Sequence, residues 1–382
     1  MKEARIVIIG GGLSGLYAAF LLQRQGIEDY VLLEARPVFG GRILSVSHSG
    51  MSPSAESAGS TNRTNRTDRF DLGPTWFWPD LQPKLDRLVS ELDIERLPQH
   101  ETGDMLVERS PHESPLRMRG YATSPVSMRL AGGMAALIDA LRDTLRPERI
   151  VSGQQVRRVR LTNEQIDLDA EDSQERITTY GAARVLLAVP PRLALANIEF
   201  APTLPDALSR EWRSTATWMA PHAKYLAVYD RPFWRDEGFS GEARSATGPL
   251  AEIHDASMPG GNAALFGFFG VPARTRMRVS DDALRAQCRA QLARLFGPQA
   301  AEPCFDLVKD WSADPYTATA MDLDAPTGHL AAPAATPAAG GWRDRLVGIA
   351  SEWSPTYPGY VAGAIDAAAA GVRAVAEAMA RK

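Results

Sequence analysis

The stretch that decides the fold is residues 5–45, RIVIIGGGLSGLYAAFLLQRQGIEDYVLLEARPVFGGRILS. An apolar segment runs into Gly10-Gly11-Gly12-Leu13-Ser14-Gly15, and Glu34 ends a second apolar segment that starts at Tyr30. This order predicts a strand, a helix and a second strand, with a glycine-rich turn at the first junction. A unit of this kind binds the pyrophosphate of a dinucleotide.

Each residue of the turn has a predicted role. Gly10 permits the tight turn, Gly12 lets the backbone approach the pyrophosphate, and Gly15 lets the helix pack closely on the sheet. Leu13 and Ser14 begin the helix, whose positive N-terminal end faces the phosphates.

The residues after the second strand complete this signature. Glu34 is placed to accept hydrogen bonds from ribose hydroxyls, and Ala35 and Arg36 follow it in the predicted site. Gly40-Gly41-Arg42 would add donors along the same pyrophosphate and favours FAD as the dinucleotide. Taken alone, these three residues are equally compatible with an ordinary turn and a surface arginine.

Composition is typical of a soluble enzyme with two domains. The chain has 382 residues, of which 45% are hydrophobic and 23% charged, and its net charge is −4. We therefore expect no nucleic-acid partner, and the lack of a long apolar run predicts no membrane span. A strand that begins by Arg5 leaves no room for a signal peptide, and two distant cysteines fit a reducing compartment, so we expect a cytoplasmic protein. The six histidines have no metal-ligand spacing, which predicts no metal site.

Periodicity predicts the elements further along. Residues 45–69 are polar and predict a long mobile insertion. Apolar residues at helical spacing predict helices near 85–92, 135–145 and 281–295 and at the C-terminus. Strand-like segments are residues 156–161, 165–168, 184–189, 224–229, 263–269 and 346–350.

These landmarks resemble the FAD-dependent amine oxidase family over nearly the whole chain. The blocks that carry the resemblance, besides the N-terminal signature, are Asp71-Leu72-Gly73, Gly132-Gly133-Met134, Val189-Pro190-Pro191, Phe200-Ala201-Pro202, Lys224 with Pro232-Phe233-Trp234, Trp311 to Tyr316, Ser351-Glu352, and Gly359 to Ala364. The resemblance implies an α/β fold with a Rossmann-type FAD domain of the glutathione-reductase-like kind. It places this domain at residues 1–76, 130–213 and 317–382, and a mixed-sheet substrate domain at 77–129 and 214–316.

The resemblance also assigns site residues. It adds cofactor-binding roles for Gly73, Pro74, Thr75, Val156, Trp311, Ser351, Glu352, Tyr360 and Val361. Lys224 matches the family lysine that holds a water at flavin N5 and helps the reduced flavin react with oxygen. Alternation along a strand also permits an outward-facing lysine there. Tyr360 matches one wall of an aromatic cage, with a core tyrosine as the alternative.

The chain departs from the family at the substrate side. Ala320 stands where some members carry a cysteine bound to FAD, so we expect non-covalent FAD. Met321 replaces the second aromatic wall, and Trp76, Glu252 and Phe268 are the other expected substrate contacts, although each also has an ordinary structural reading. The segment between Trp76 and Gly132 is short for the family, which implies a more open site or a roof from a second copy.

The expected function is hydride transfer from a C–N carbon of an amine to flavin and then to molecular oxygen. Two alternatives remain open at this point: a flavin desaturase or dehydrogenase acting on C–C bonds, and an FAD-binding protein without turnover. We expect a small amine-like substrate and a possible homodimer.

Overall fold

The computed structural model describes residues 2–47, 68–162, 165–324 and 331–381. Within these ranges the strands are β1 (Lys2–Ile9), β2 (Tyr30–Leu33), β3 (Ser45–Ser47), β4 (Arg69–Asp71), β5 (Arg96–Pro98), β6 (Asp104–Glu108), β7 (Leu116–Arg119), β8 (Met128–Leu130), β9 (Ile150–Val151), β10 (Gln155–Leu161), β11 (Ile166–Glu171), β12 (Ile177–Leu187), β13 (Glu199–Ala201), β14 (Ala223–Tyr229), β15 (Phe239–Ser245), β16 (Leu250–Asp255), β17 (Ala263–Phe269), β18 (Phe305–Asp310) and β19 (Leu346–Gly348).

The helices of the same ranges are α1 (Leu13–Arg24), α2 (Pro83–Glu91), α3 (Ala135–Thr144), α4 (Pro191–Asn197), α5 (Asp206–Ser214), α6 (Phe233–Asp236), α7 (Ala273–Arg276), α8 (Asp281–Phe296) and α9 (Val361–Ala380). The helices predicted near 85–92, 135–145 and 281–295 are confirmed as α2, α3 and α8. Most of the predicted mobile insertion lies outside the described residues; its two ends pair as β3 and β4. None of the described helices combines the length and apolar character that a membrane span requires.

The first sheet has the order β13-β10-β11-β12-β1-β2-β9, and β19 also pairs with β12. Strand β1 lies parallel to both β2 and β12. Ile6 and Ile8 belong to the core on one face of this sheet, and Val7 and Ile9 to the core on the other. Burial of both faces explains why the sequence of β1 is a continuous apolar run.

Helix α1 packs closely on the sheet because of Gly15. A Cβ at this position would lie 1.9 Å from the carbonyl oxygen of Gly10, which no side chain tolerates. On its other side, the Ser14 hydroxyl donates to the carbonyl of Ile349, next to β19. The first helix is therefore fixed between the N-terminal strand and residues more than 300 positions later.

The second sheet has the order β18-β14-β17-β16-β15-β6-β7. Its strand β14 is buried along its whole length. Tyr225 and Ala227 join a core with α8, whereas Leu226 and Val228 belong to a core on the opposite face. Because side chains alternate along a strand, Lys224 lies on the face of Leu226 and Val228.

Candidate functional site

A cavity of about 420 Å³ lies at the carboxyl ends of β1, β2 and β12 and extends to β14 of the second sheet. In parallel α/β sheets ligands bind at this edge. The predicted cofactor residues that line the cavity are Gly10, Gly12, Leu13, Ser14, Glu34, Ala35, Arg36, Gly41, Arg42, Gly73, Pro74, Thr75, Val156, Trp311, Ser351, Tyr360 and Val361. Lys224, Trp76 and Phe268 line it as well. Gly15 and Glu352 do not line the cavity. Gly15 allows the close approach of the Gly10 carbonyl, and Glu352 accepts a hydrogen bond from Arg42.

The glycine turn has the shape that a pyrophosphate requires. Gly10 has a φ of +105°, which side-chain-bearing residues rarely adopt. A Cβ on Gly12 would meet no heavy atom closer than 3.7 Å, so glycine is not demanded there by protein packing. Helix α1 begins at Leu13 without a side-chain cap, which leaves its first N–H groups free for an anion. The turn therefore fits a phosphate that approaches the backbone at Gly12.

Glu34 is buried at the end of β2 with 4% of its surface exposed. Its carboxylate accepts hydrogen bonds from the backbone N–H groups of Gly11 at 2.6 Å and Arg36 at 2.8 Å. Burial raises the pKa of this carboxyl, and the two backbone donors oppose the rise. Each oxygen uses one bond, so the carboxylate keeps acceptor capacity toward the cavity, as ribose hydroxyls require.

Arg42 forms an ion pair with Glu352, a partner that the sequence did not predict. Its guanidinium forms two hydrogen bonds with the Glu352 carboxylate, at 2.6 and 3.0 Å, and a third with the Ser351 hydroxyl at 3.0 Å. Glu352 is only 3% exposed and needs a cation. Arg42 thus joins the glycine-rich arm to the start of the C-terminal segment, and its predicted contact with pyrophosphate stays a prediction.

Lys224 is buried, and the structure excludes an outward-facing lysine. Its Nζ donates to the backbone oxygens of Gly73 at 2.7 Å and Asp71 at 3.1 Å, and to the hydroxyl of Thr75 at 2.8 Å. Only 2% of the residue is exposed. The segment from Asp71 to Thr75 therefore holds the Lys224 side-chain amine at the boundary between the two sheets.

The surroundings of Lys224 change its acidity. Burial lowers the pKa of the ammonium to about 7, while the Asp71 carboxylate opposes this and Arg129 adds to it. The Phe266 and Phe268 rings lie 4.3 and 5.1 Å from Nζ and contribute an apolar, electron-rich wall. The ammonium of Lys224 thus loses its proton more readily than that of an exposed lysine.

Tyr360 faces an aromatic residue that the sequence did not single out. The rings of Tyr360 and Trp218 have their centroids 6.3 Å apart and their planes at 34°. Gly359 makes this possible, since a Cβ there would lie 2.4 Å from Cβ of Trp218. The available signal for Trp218 was its place in the sequence, six residues before Lys224. The loop that carries it has no periodicity that would predict the position of its side chain.

His222 is a second residue that sequence reasoning missed. It lines the cavity, and its Nδ1 is buried without a hydrogen-bond partner among the described residues. Burial, and then the nearby Arg276 guanidinium, lower the pKa of the imidazole. The ring is therefore a neutral group with one unused polar atom in the cavity wall.

The structure does not bring Met321 or Glu252 to the cavity, which corrects two predictions. Met321 is 55% exposed, because Asp322 beside it is fully buried against Arg192 and holds the short turn from Thr319 with Met321 outward. The Glu252 carboxylate contacts Arg244 and His254 outside the lining residues. Trp218, and not Met321, lies beside Tyr360 in the lining of the cavity.

The model of the family "Flavin containing amine oxidoreductase" matches residues 106–377, and that of the "NAD(P)-binding Rossmann-like domain" matches residues 8–92. The chain belongs to the flavin containing amine oxidoreductase family. This membership supports FAD as the cofactor, for which the glycine turn and Glu34 provide the fitting residues.

Two relatives illustrate how far the similarity to this family extends. The "Probable flavin-containing monoamine oxidase A" of Dictyostelium discoideum is 32% identical over 144 residues, which are 37% of this chain and 30% of the relative. Flavin-containing amine oxidase B of Homo sapiens is 28% identical over 208 residues, 52% of this chain and 38% of the relative. The chain thus spans well under two thirds of the length of these relatives.

Two solved structures of oxidases share the fold of this family member. Wild-type putrescine oxidase bound to putrescine has a TM-score of 0.72 at 20% identity, with 99% of each chain covered. Cyclohexylamine oxidase from Brevibacterium oxydans has a TM-score of 0.76 at 18% identity, covering 99% of this chain and 100% of the other. The predicted mixed α/β fold with a Rossmann-like dinucleotide-binding domain is confirmed.

Proposed function

We propose that this chain is an FAD-dependent amine oxidase. In the overall reaction an amine, oxygen and water give a carbonyl compound, ammonia or a smaller amine, and hydrogen peroxide. The observation that carries the proposal is one cavity that joins the dinucleotide turn to a buried lysine, Lys224, and an aromatic pair, Tyr360 and Trp218. Bound flavin supplies the acceptor for a hydride from the carbon next to nitrogen.

The walls of the cavity favour the reactive form of an amine. Hydride departure from carbon needs the nitrogen lone pair, so the amine must be neutral. Trp76, Phe268, Tyr360 and Trp218 surround the space beside Lys224 with aromatic surface, and desolvation lowers the pKa of a bound ammonium. Because the pKa of Lys224 is itself about 7, the lysine adds only partial repulsion to a cationic substrate on entry.

We also propose that FAD is held without a covalent bond. Ala320 occupies the position of the family's attachment cysteine, and it is exposed outside the cavity lining. The two cysteines of the chain, Cys288 and Cys304, do not line the cavity either. Acid precipitation of the purified protein should release all yellow colour into the supernatant. Colour that stays with the pellet would contradict this assignment.

The domain organisation belongs to the same proposal. Strands of the first sheet come from residues 2–33, 150–201 and 346–348, and those of the second from 104–119 and 223–310. This distribution supports an FAD domain of the glutathione-reductase-like kind at 1–76, 130–213 and 317–382, interrupted twice by a shortened substrate domain. A cytoplasmic location and a homodimer remain predictions.

Anaerobic mixing with a panel of monoamines, diamines and amino acids tests the activity. We expect one class to bleach the flavin, and admission of air to restore the colour with release of peroxide. Bleaching only by a substrate that can be desaturated at a C–C bond, with slow recovery in air, would favour a desaturase. A flavin that no candidate bleaches would favour a binding protein without turnover.

A further inference from the structure

A second cavity, of about 1010 Å³, lies at the outer edge of the second sheet. It is enclosed by the segment after β5, the end of β7, Arg129 of β8 and the turn at 257–261. It has no lining residue in common with the cavity described above. Gln99 in its wall accepts a hydrogen bond at 2.7 Å from the indole of Trp76, which lines the first cavity. The two cavities are therefore neighbours with separate walls.

Arg129 is the unusual residue of this second cavity. It is 3% exposed, and its guanidinium donates to the backbone oxygens of Ala256 at 2.6 Å and Ser257 at 3.0 Å. Its Nε is buried without a hydrogen-bond partner among the described residues, and the Asp71 and Asp255 carboxylates act on its charge without a direct ion pair. Burying a guanidinium without a directly bonded carboxylate is costly, and carbonyl oxygens compensate only part of that cost.

The ion pairs around Arg129 leave two arginines of the cavity without a directly bonded carboxylate. Arg235 is neutralised by the buried Asp255 carboxylate at 2.8 Å, and Asp104 is paired with Arg117 at 2.6 Å. Arg119 lines the mouth and forms no ion pair with a described carboxylate. The remaining cationic side chains are thus Arg129 in the wall and Arg119 at the mouth.

Two further polar groups line the cavity. The Glu101 carboxylate is held by the Thr123 backbone N–H and hydroxyl, each at 2.7 Å, and forms no direct ion pair with Arg129. His100 lines the cavity with a buried Nε2 that has no partner among the described residues. A ligand with several acceptor oxygens would satisfy both the guanidinium and this ring.

We propose that this second cavity binds a small oxyanion, a carboxylate or phosphate group, against Arg129, with Arg119 at the mouth and His100 as a further contact. A planar guanidinium matches the paired oxygens of either group. The proposal does not rest on the oxidase activity, because its site is built from other residues. A free organic acid and inorganic phosphate are the two sources of this chemistry.

Calorimetric titration of the FAD-loaded protein tests the proposal. Inorganic phosphate, succinate and the neutral succinamide are titrated separately at constant ionic strength, set with sodium chloride. We expect saturable binding of phosphate or succinate and none of succinamide, and the anion that binds identifies the source. Wild-type protein that binds neither anion would overturn the proposal.

Three variants locate the site. Arg129→Gln should weaken anion binding by roughly tenfold to a hundredfold, the range for a lost charged hydrogen bond. Arg119 is exposed, so Arg119→Gln does not disturb the core, and it should weaken anion binding severalfold. Arg176→Gln is the control, because Arg176 is an exposed arginine paired with Asp172 and does not line the cavity; its anion binding should equal that of the wild type. If Arg129→Gln does not fold, Arg119→Gln decides, and undiminished binding in either cavity variant would refute the site.

Discussion

At Lys224 two opposing effects meet on a single nitrogen. Three acceptors surround Nζ, the backbone oxygens of Asp71 and Gly73 and the Thr75 hydroxyl, and only the charged amine has three protons to donate. Burial against Phe266 and Phe268 favours the neutral form instead. The balance leaves a pKa of about 7. Loss of a proton therefore leaves one of the three acceptors without a hydrogen bond, while it removes the cost of a buried charge.

The first prediction concerns stability and pH. An unfolded lysine has a pKa near 10.4 and the folded Lys224 one of about 7, so between these values the unfolded state binds more protons. The free energy of unfolding contributed by this residue therefore rises with pH through that window, and below about pH 7 the folded state carries the full cost of a buried charge. The free energy of unfolding of Lys224→Met, relative to that of the wild type, should accordingly be highest at pH 6. This difference should fall by roughly a few kcal/mol toward pH 10.

Urea unfolding at pH 6, 8 and 9.5 measures this difference. The lost hydrogen bonds shift the whole curve of Lys224→Met, but they do not create a pH slope. A difference in unfolding free energy that stays constant from pH 6 to 9.5 would show that Lys224 keeps an ordinary pKa.

The second prediction concerns the reaction with oxygen. Lys224→Met should retain FAD, because the glycine turn and Glu34 stay unchanged, and it should slow reoxidation of the reduced flavin at least about tenfold. Stopped-flow mixing of the reduced protein with oxygenated buffer measures the rate. Lys309→Met is the matched control, since Lys309 faces Lys224 in the neighbouring strand but is paired with Asp314. Equal rates in the two variants would remove Lys224 from the oxidative step.

The third prediction concerns Trp218. Trp218 lies beside Tyr360 in the cavity wall, so Trp218→Ala should raise KM for the best amine about tenfold or more, whereas Trp218→Phe should stay near wild type. Steady-state kinetics with peroxide detection provides both values. An unchanged KM in Trp218→Ala would place substrate elsewhere in the cavity.

At the scale of the element, the strand–turn–helix unit contains two glycines that are retained for different reasons. Gly15 is required by packing, since its Cβ would collide with the Gly10 carbonyl, whereas Gly12 has room for a methyl group within the protein. A ligand that approaches the backbone here accounts for the absence of a side chain at Gly12. Gly15 is therefore required by the fold, and Gly12 by the cofactor.

Substitution by alanine tests this separation. Gly12→Ala should fold with a melting temperature close to that of the wild-type apoprotein and bind FAD at least about tenfold more weakly. Gly15→Ala should lower the melting temperature of the apoprotein itself, because a contact of 1.9 Å forces α1 away from the sheet. Differential scanning fluorimetry and FAD titration give the two readouts. Loss of stability in both variants would mean that Gly12 is also a packing residue.

The sequence predicted these elements well where the determining contacts are local. The glycine turn, Glu34 after β2 and the helical spacing of α2 depend on residues within one unit, and these predictions agree with the structure. The positions of Trp218 and Met321 are set by distant contacts. Trp218 packs where Gly359 has no side chain, and the buried Arg192–Asp322 pair holds the turn that carries Met321. No periodicity in the sequence reports such contacts, so the wrong residue was expected in the cavity wall.

At the scale of the molecule, one ion pair joins the two ends of the chain at the candidate site. Arg42 and Glu352 are 310 positions apart, and the carboxylate is 3% exposed. Arg42→Met leaves that carboxylate buried and unpaired, so it should destabilise the protein by about 3 kcal/mol. The double variant Arg42→Met with Glu352→Gln should recover a large part of the loss. Denaturant unfolding of the four proteins gives the coupling energy, and additive effects would show that the pair is not a structural clamp.

The central position of β1 also affects the order of assembly during synthesis. Its neighbour β12 also pairs with β19, and α1 contacts the carbonyl of Ile349 through Ser14. The first forty residues contain most of the phosphate-binding backbone, and part of their supporting surface comes from residues 346–380. A ribosome-bound chain that lacks this last segment has the binding motif without the wall that closes it. Flavin capture should therefore follow the synthesis of this segment.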